Sequence, residues 1–134
     1  MILRANPAAT AVAPIRIALV NIMDNAEGTE RHFVKTIRAA HPNADITLCR
    51  MSCAKIDPKY FREQSHLLSD RYTDWHDVIG QQDFDLVIVT GINRGTLSYQ
   101  ALHENYADFW NESKELFRTL RASIHAGHTG HASL

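Results

Sequence analysis

Apolar and polar positions follow two rhythms along this chain, and their alternation predicts strands and helices in turn. Ile15-Arg16-Ile17-Ala18-Leu19-Val20 is a β-branched apolar run between Pro14 and Asn21, the pattern of a buried strand. A polar stretch from Asp24 to Gly28 follows. Thr29 then stands where it can cap a helix whose stripe carries Phe33, Val34, Ile37 and Ala40. His41-Pro42-Asn43 stops that helix, because proline lacks the amide hydrogen and clashes with the preceding turn. Ala44 to Met51 alternates apolar with polar, which predicts a strand with one wetter face near a sheet edge.

From Ser52 to Tyr72 the rhythm is weak. Asp57-Pro58 marks a turn or a helix start, and His66-Leu67-Leu68 fits a short helix. Phe84-Asp85-Leu86-Val87-Ile88-Val89-Thr90-Gly91 is the clearest strand, closed by a glycine that permits a tight turn. After a long loop, a helix carries Phe109, Leu116, Phe117 and Leu120 inward, and Ser123-Ile124-His125-Ala126 reads as a fourth strand. Strands that alternate with helices need crossover connections, so the fold class is α/β, a parallel sheet covered on both faces. Chemistry in such sheets collects at the carboxyl ends of strands. Those ends are Asn21-Ile22-Met23, Thr90-Gly91-Ile92-Asn93 and Gly127-His128. Residues 1–14, rich in alanine and proline without a period, read as a flexible arm before a single domain over 15–134.

Composition narrows the partners. Fourteen basic residues against 15 acidic give a net charge of −1, which supplies no positive field for a phosphate backbone, so nucleic acid is excluded. The apolar runs fall far short of the ~20 residues that a membrane-spanning helix needs. The start of the chain has no signal-peptide pattern, and two cysteines are too few for a disulfide scaffold, so the expected location is cytoplasmic.

Several residues carry candidate chemistry beside a plainer reading. His125, His128 and His131 are spaced by three; on a helix they fan around the axis with no carboxylate nearby, so a solvated terminus is favoured over a metal site. Cys49 and Cys53 do not match the redox or zinc spacing and read as small buried apolar groups. The loop Gly91-Ile92-Asn93-Arg94-Gly95-Thr96 either offers backbone N–H groups to an oxyanion or is an ordinary strand-end turn. It is neither a phosphate loop nor a dinucleotide fingerprint. Asp108, Glu112 and Glu115, with Arg118 and Arg121 further on, read as a solvated helix face.

Read together, three blocks resemble the homoserine O-acyltransferase family. The first is Ile15 to Met23, followed by Thr29-Glu30 and Phe33; it is similar to the family's first strand, Asn-Leu-Met turn and Thr-Glu-x-x-Phe helix start. The second is Phe84 to Gly91, preceded by Tyr72, Trp75 and Asp77-Val78-Ile79. The third is Phe109-Trp110, the helix to Leu120, and Ser123-Ile124-His125. The resemblance implies a flavodoxin-like parallel sheet of about four strands, of the class I glutamine amidotransferase type. It also implies acyl transfer from acyl-coenzyme A, a co-substrate rather than a cofactor, to the hydroxyl of homoserine or a similar amino acid in methionine biosynthesis.

The same resemblance marks departures. Gly127 falls at the family's nucleophilic cysteine and His128 at the tryptophan after it, and a glycine cannot attack a thioester. Asn93 stands at the family's proline. Gly95 falls at the position that separates acyl donors in the family, where a small residue goes with succinyl; Arg94 before it can attract a carboxylate. The family's catalytic His and Glu lie beyond Leu134, so the chain is expected to be inactive alone: either part of an acyltransferase or a catalytically silent relative that binds a ligand or partner. An exposed last strand predicts a homodimer, or a complex with a second chain, through His125 to Leu134 and the helix of Phe109, Trp110 and Phe117.

Overall fold

The structure, a computed structural model, describes residues 2–4, 14–55, 63–91, 100, 104–125 and 131–133. Its centre is strand β2, Arg16–Val20. Ile17, Ala18, Leu19 and Val20 are all buried although successive side chains point to opposite faces, so β2 is covered on both. Burial of Ile17, Leu19 and Val20 stabilises the fold by about 1.5–3 kcal/mol each relative to exposure. A parallel ladder joins β2 to β3, Asp45–Arg50, from Arg16↔Asp45 to Val20↔Cys49. On its other side β2 pairs with β5, Leu86–Val89, again parallel, from Ile17↔Leu86 to Val20↔Val89. The short strand β4, Tyr72–Asp74, continues the parallel set beyond β3.

This gives the expected four parallel strands, but the fourth is not Ser123 to Ala126. Ser123, Ile124 and His125 are the last residues of helix α3, Ala107–His125. Tyr72–Asp74 takes the outer parallel position instead, too short to show a period. Two further strands complete the sheet. Strand β1, Ile2–Arg4, lies antiparallel between β5 and β6, His131–Ser133, so part of the expected arm sits in the sheet. The order is β4-β3-β2-β5-β1-β6.

Helix α1, Ala26–Ala40, connects β2 to β3. It starts three residues before the expected Thr29, and Asn25 precedes it without a side-chain cap. It ends as expected at His41, whose N–H bonds the Ile37 carbonyl at 2.7 Å. Ile37 is buried and Phe33 packs on the core, whereas Ala40 is exposed. The short helix α2, Gln64–Leu67, covers His66 and Leu67. Helix α3 buries Phe109, Leu116 and Leu120, but Phe117 is 46% exposed; it stands one residue, about 100°, off the stripe. Among the described residues no helix is long and apolar enough to cross a membrane.

Candidate functional site

The chain steps from β2 outward to β3 and β4, then returns to the other side of β2 for β5. Such a reversal opens a crevice at the carboxyl ends of the two central strands, where open parallel sheets hold ligands. Asn21 closes β2 and is fully buried. Its Nδ2 donates to the Ala26 carbonyl at 2.8 Å and to the Tyr72 hydroxyl at 3.0 Å, while Oδ1 accepts the Met23 N–H at 3.2 Å. Thr90 closes β5. Its N–H donates to the Val20 carbonyl at 3.0 Å, and its hydroxyl oxygen accepts the Ile22 N–H at 2.9 Å. Two polar side chains thus clamp the strand ends to each other and to the start of α1.

Between them lies a cavity of about 420 Å³ lined by Met23, Asn25, His32, Phe33, Thr90 and Gly91 among others. The sequence assigns Gly91 a tight turn, but among the described residues the glycine with positive φ is Gly80, at 86°. Among the described residues, a Cβ on Gly91 would meet no atom within 4 Å, so this glycine leaves open space at the crevice. A Cβ on Gly28 would approach Asn25 Nδ2 to 2.7 Å, so glycine there lets the Asn25 amide lie over the first turn of α1.

Next to Asn21 stands a relay built on the buried Glu30 and Tyr72. Glu30 is 6% exposed; Oε1 lies 2.9 Å from His66 Nε2, and Oε2 accepts an Arg71 guanidinium N–H at 2.6 Å. Burial alone pushes its carboxyl up, but hydrogen bonds from His66, Tyr72 and Arg71, with the Arg71 charge, outweigh that and hold it below the usual carboxylate range. Burial pushes the Tyr72 phenol well up, so it stays protonated, accepting from Asn21 and donating to Glu30. A carboxylate three residues before Phe33 and seven before Ile37 lies on the apolar stripe of α1. That placement is the signal by which its burial was readable.

A second polar cluster forms where β3 and β4 end. Asp74 Oδ1 accepts from Arg50 Nε at 2.7 Å, and Oδ2 from Lys55 Nζ at 2.5 Å. Burial raises the Asp74 carboxyl, yet the bonds and charges of Lys55 and Arg50 hold it below its ordinary value. Glu112 is not on a solvated face, as its charge suggested; it is buried at 8%. Its carboxylate accepts the N–H groups of Ser52 and Cys53 at 2.6 and 2.8 Å and the Trp75 indole N–H at 2.7 Å. Three residues after Phe109 and four before Leu116, it too occupies an apolar stripe. Glu115, also assigned to the solvated face, lies 3.0 Å from His76 Nε2. Both cysteines are buried and free, as expected. Burial pushes the Cys49 thiol up to about 12, and burial together with Glu112 pushes Cys53 up as well.

Asn93, Arg94, Gly95, Gly127 and His128 all lie outside the described residues, as does Asp57-Pro58. Thr90 and Gly91, at the crevice, lead directly into the first three.

The family model for homoserine O-succinyltransferase matches residues 1–129. A homoserine O-acetyltransferase of Allorhizobium ampelinum is 31% identical over 116 residues, which are 85% of this chain and 34% of that protein. A homoserine O-acetyltransferase of Sinorhizobium fredii is 30% identical over 86% of this chain and 34% of its own. A homoserine O-succinyltransferase of Pelagibacterium halotolerans is 25% identical over 85% of this chain and 34% of its own. The chain therefore spans about a third of the length of the curated relatives it matches. With its parallel sheet, its crevice between β2 and β5 and a family match over residues 1–129, the chain belongs to the homoserine O-succinyltransferase family.

Proposed function

We propose that the β2/β5 crevice receives the ligands of a homoserine acyltransferase, an acyl-coenzyme A donor and a small hydroxy amino acid, as in methionine biosynthesis. The observation that carries this reading is the unfilled space over Gly91, next to the buried hydroxyl of Thr90, at the reversal of strand order. Gly95, at the position where the family resemblance puts a small residue with succinyl donors, favours a donor of succinyl size, and Arg94 suits its free carboxylate. Acyl-coenzyme A and free amino acids are cytoplasmic, which accords with a cytoplasmic protein.

With Gly127 at the nucleophile position, the chain binds these ligands without passing an acyl group to homoserine. The outer strand β6 is the edge through which we propose that a second copy pairs. Titration of the 134-residue chain with succinyl-coenzyme A and with homoserine tests the reading, using the amide resonances of Thr90 and Gly91. The expected result is saturable shifts at those residues and no O-succinylhomoserine by mass spectrometry. Absence of shifts at both residues overturns the binding, and formation of the product overturns the silence.

A further inference from the structure

We propose that Ser52, His76 and Glu115 form a second nucleophilic site, at which the Ser52 hydroxyl takes an acyl group from a small activated ester or thioester and passes it to water. Ser52 follows β3, His76 follows β4 and Glu115 lies on α3, so three separate elements bring the groups together. Ser52 Oγ lies 3.0 Å from His76 Nδ1, and His76 Nε2 lies 3.0 Å from Glu115 Oε1. An ionised carboxylate only accepts, so the neutral imidazole carries its proton on Nε2 and turns the Nδ1 lone pair toward Ser52. The hydroxyl is nearer to that nitrogen than to Asp74 Oδ2, which is 3.4 Å away.

The surroundings hold this geometry in place. The Trp75 ring stacks on the His76 imidazole with centroids 3.8 Å apart and 26° between planes. Glu112 fixes the Trp75 indole and the backbone N–H groups of Ser52 and Cys53 with one carboxylate. Those amides are therefore not donors for an oxyanion. The Lys55 ammonium and the Ser52 hydroxyl share one oxygen, Asp74 Oδ2, which ties Ser52 to the end of β4. Ser52, His76 and Glu115 face a cavity of about 800 Å³ that shares no lining residue with the β2/β5 crevice.

The chemistry balances without a further reagent. As Ser52 Oγ bonds to the carbonyl carbon, its proton passes to His76 Nδ1. The bond from that carbon to the leaving oxygen or sulfur breaks, and the leaving group takes the proton. Water then adds to the acyl carbon, and its proton returns through Nδ1 to Ser52 Oγ as the acyl–oxygen bond breaks. One ester or thioester and one water give one acid and one alcohol or thiol.

A fluorophosphonate probe with peptide mapping by mass spectrometry tests the site on the full 134-residue chain. The expected adduct is on Ser52, forming about 100-fold faster than in the urea-unfolded chain, as a positioned base implies. Ser52→Ala abolishes the adduct, and His76→Gln slows it by about the same factor. Glu115 is a positioning residue, so its readout is the nitrogen shifts of the His76 ring: an Nε2–H tautomer in the parent chain and a mixture in Glu115→Gln. The absence of a Ser52 adduct, or an equal rate in the unfolded chain, overturns the proposal without reliance on any variant. A tautomer unchanged by Glu115→Gln overturns the part given to Glu115.

Discussion

The carboxylate of Glu112 accepts the indole N–H of Trp75 at 2.7 Å, with both residues buried, and so pins α3 to the end of β4. The same carboxylate takes two backbone N–H groups at the turn after β3. Glu112→Ala leaves all three donors without it and is expected to cost about 3 kcal/mol, because unmatched buried donors lose water without replacing it. Glu112→Gln keeps an acceptor and is expected to cost about 1 kcal/mol. Urea unfolding of the two variants against the parent chain measures both.

The Glu30 relay makes a pH-dependent contribution of defined sign. Its carboxyl is held below its ordinary value of 4.5, so the folded state binds that proton less readily than the unfolded chain. The stabilisation is complete above 4.5 and is lost as pH falls through the folded value. Glu30→Gln is therefore expected to lower stability by about 1–2 kcal/mol at neutral pH, with the gap closing in acid. Urea midpoints of both proteins from neutral pH down to acid check the sign; a gap that widens in acid refutes it.

Two glycines should respond in opposite ways. Gly80 sits at φ 86°, where a Cβ is strained, so Gly80→Ala is expected to cost about 1–2 kcal/mol. Gly91 has no positive φ and, among the described residues, no atom within 4 Å of a Cβ, so Gly91→Ala is expected to leave stability within about 1 kcal/mol. Gly91→Leu fills the crevice instead. It should abolish the ligand shifts at Thr90 while thermal unfolding stays near the parent temperature.

Neither cysteine should behave as a reactive thiol. Burial holds Cys49 near 12 and Cys53 also far above its ordinary value, which leaves almost no thiolate at neutral pH. Modification by iodoacetamide is expected to be negligible in buffer and complete for both residues in denaturant. Mass spectrometry of the intact chain distinguishes the two states.

Much of the frame is legible in the sequence. The runs Ile15 to Val20 and Leu86 to Val89 are strands because β-branched apolar residues fit a sheet buried on both faces. Pro42 ended α1 where it had to, and the apolar spacing of Phe109, Leu116 and Leu120 turned α3 inward. Asn21 and Thr90 were named as strand ends, where open parallel sheets gather polar groups, although no local pattern announces that Asn21 reaches Tyr72.

What the sequence determined by itself was the alternation of elements, the near-neutral charge and the absence of a side chain at Gly127, all properties of one residue or one short window. Tertiary structure alone decided that Tyr72–Asp74 is the outer parallel strand and that Ser123 to His125 continue a helix. It also supplied the partners that allow Glu30 and Glu112, both on the apolar stripes of their helices, to be buried as carboxylates. Charge predicts exposure only when no partner waits inside, and here Arg71, His66, Trp75 and backbone N–H groups satisfy the two carboxylates. Ser52 and His76 are 24 residues apart, and His76 and Glu115 are 39 apart. Their meeting depends on the order of strands in the sheet and the packing of α3, which local periodicity does not encode.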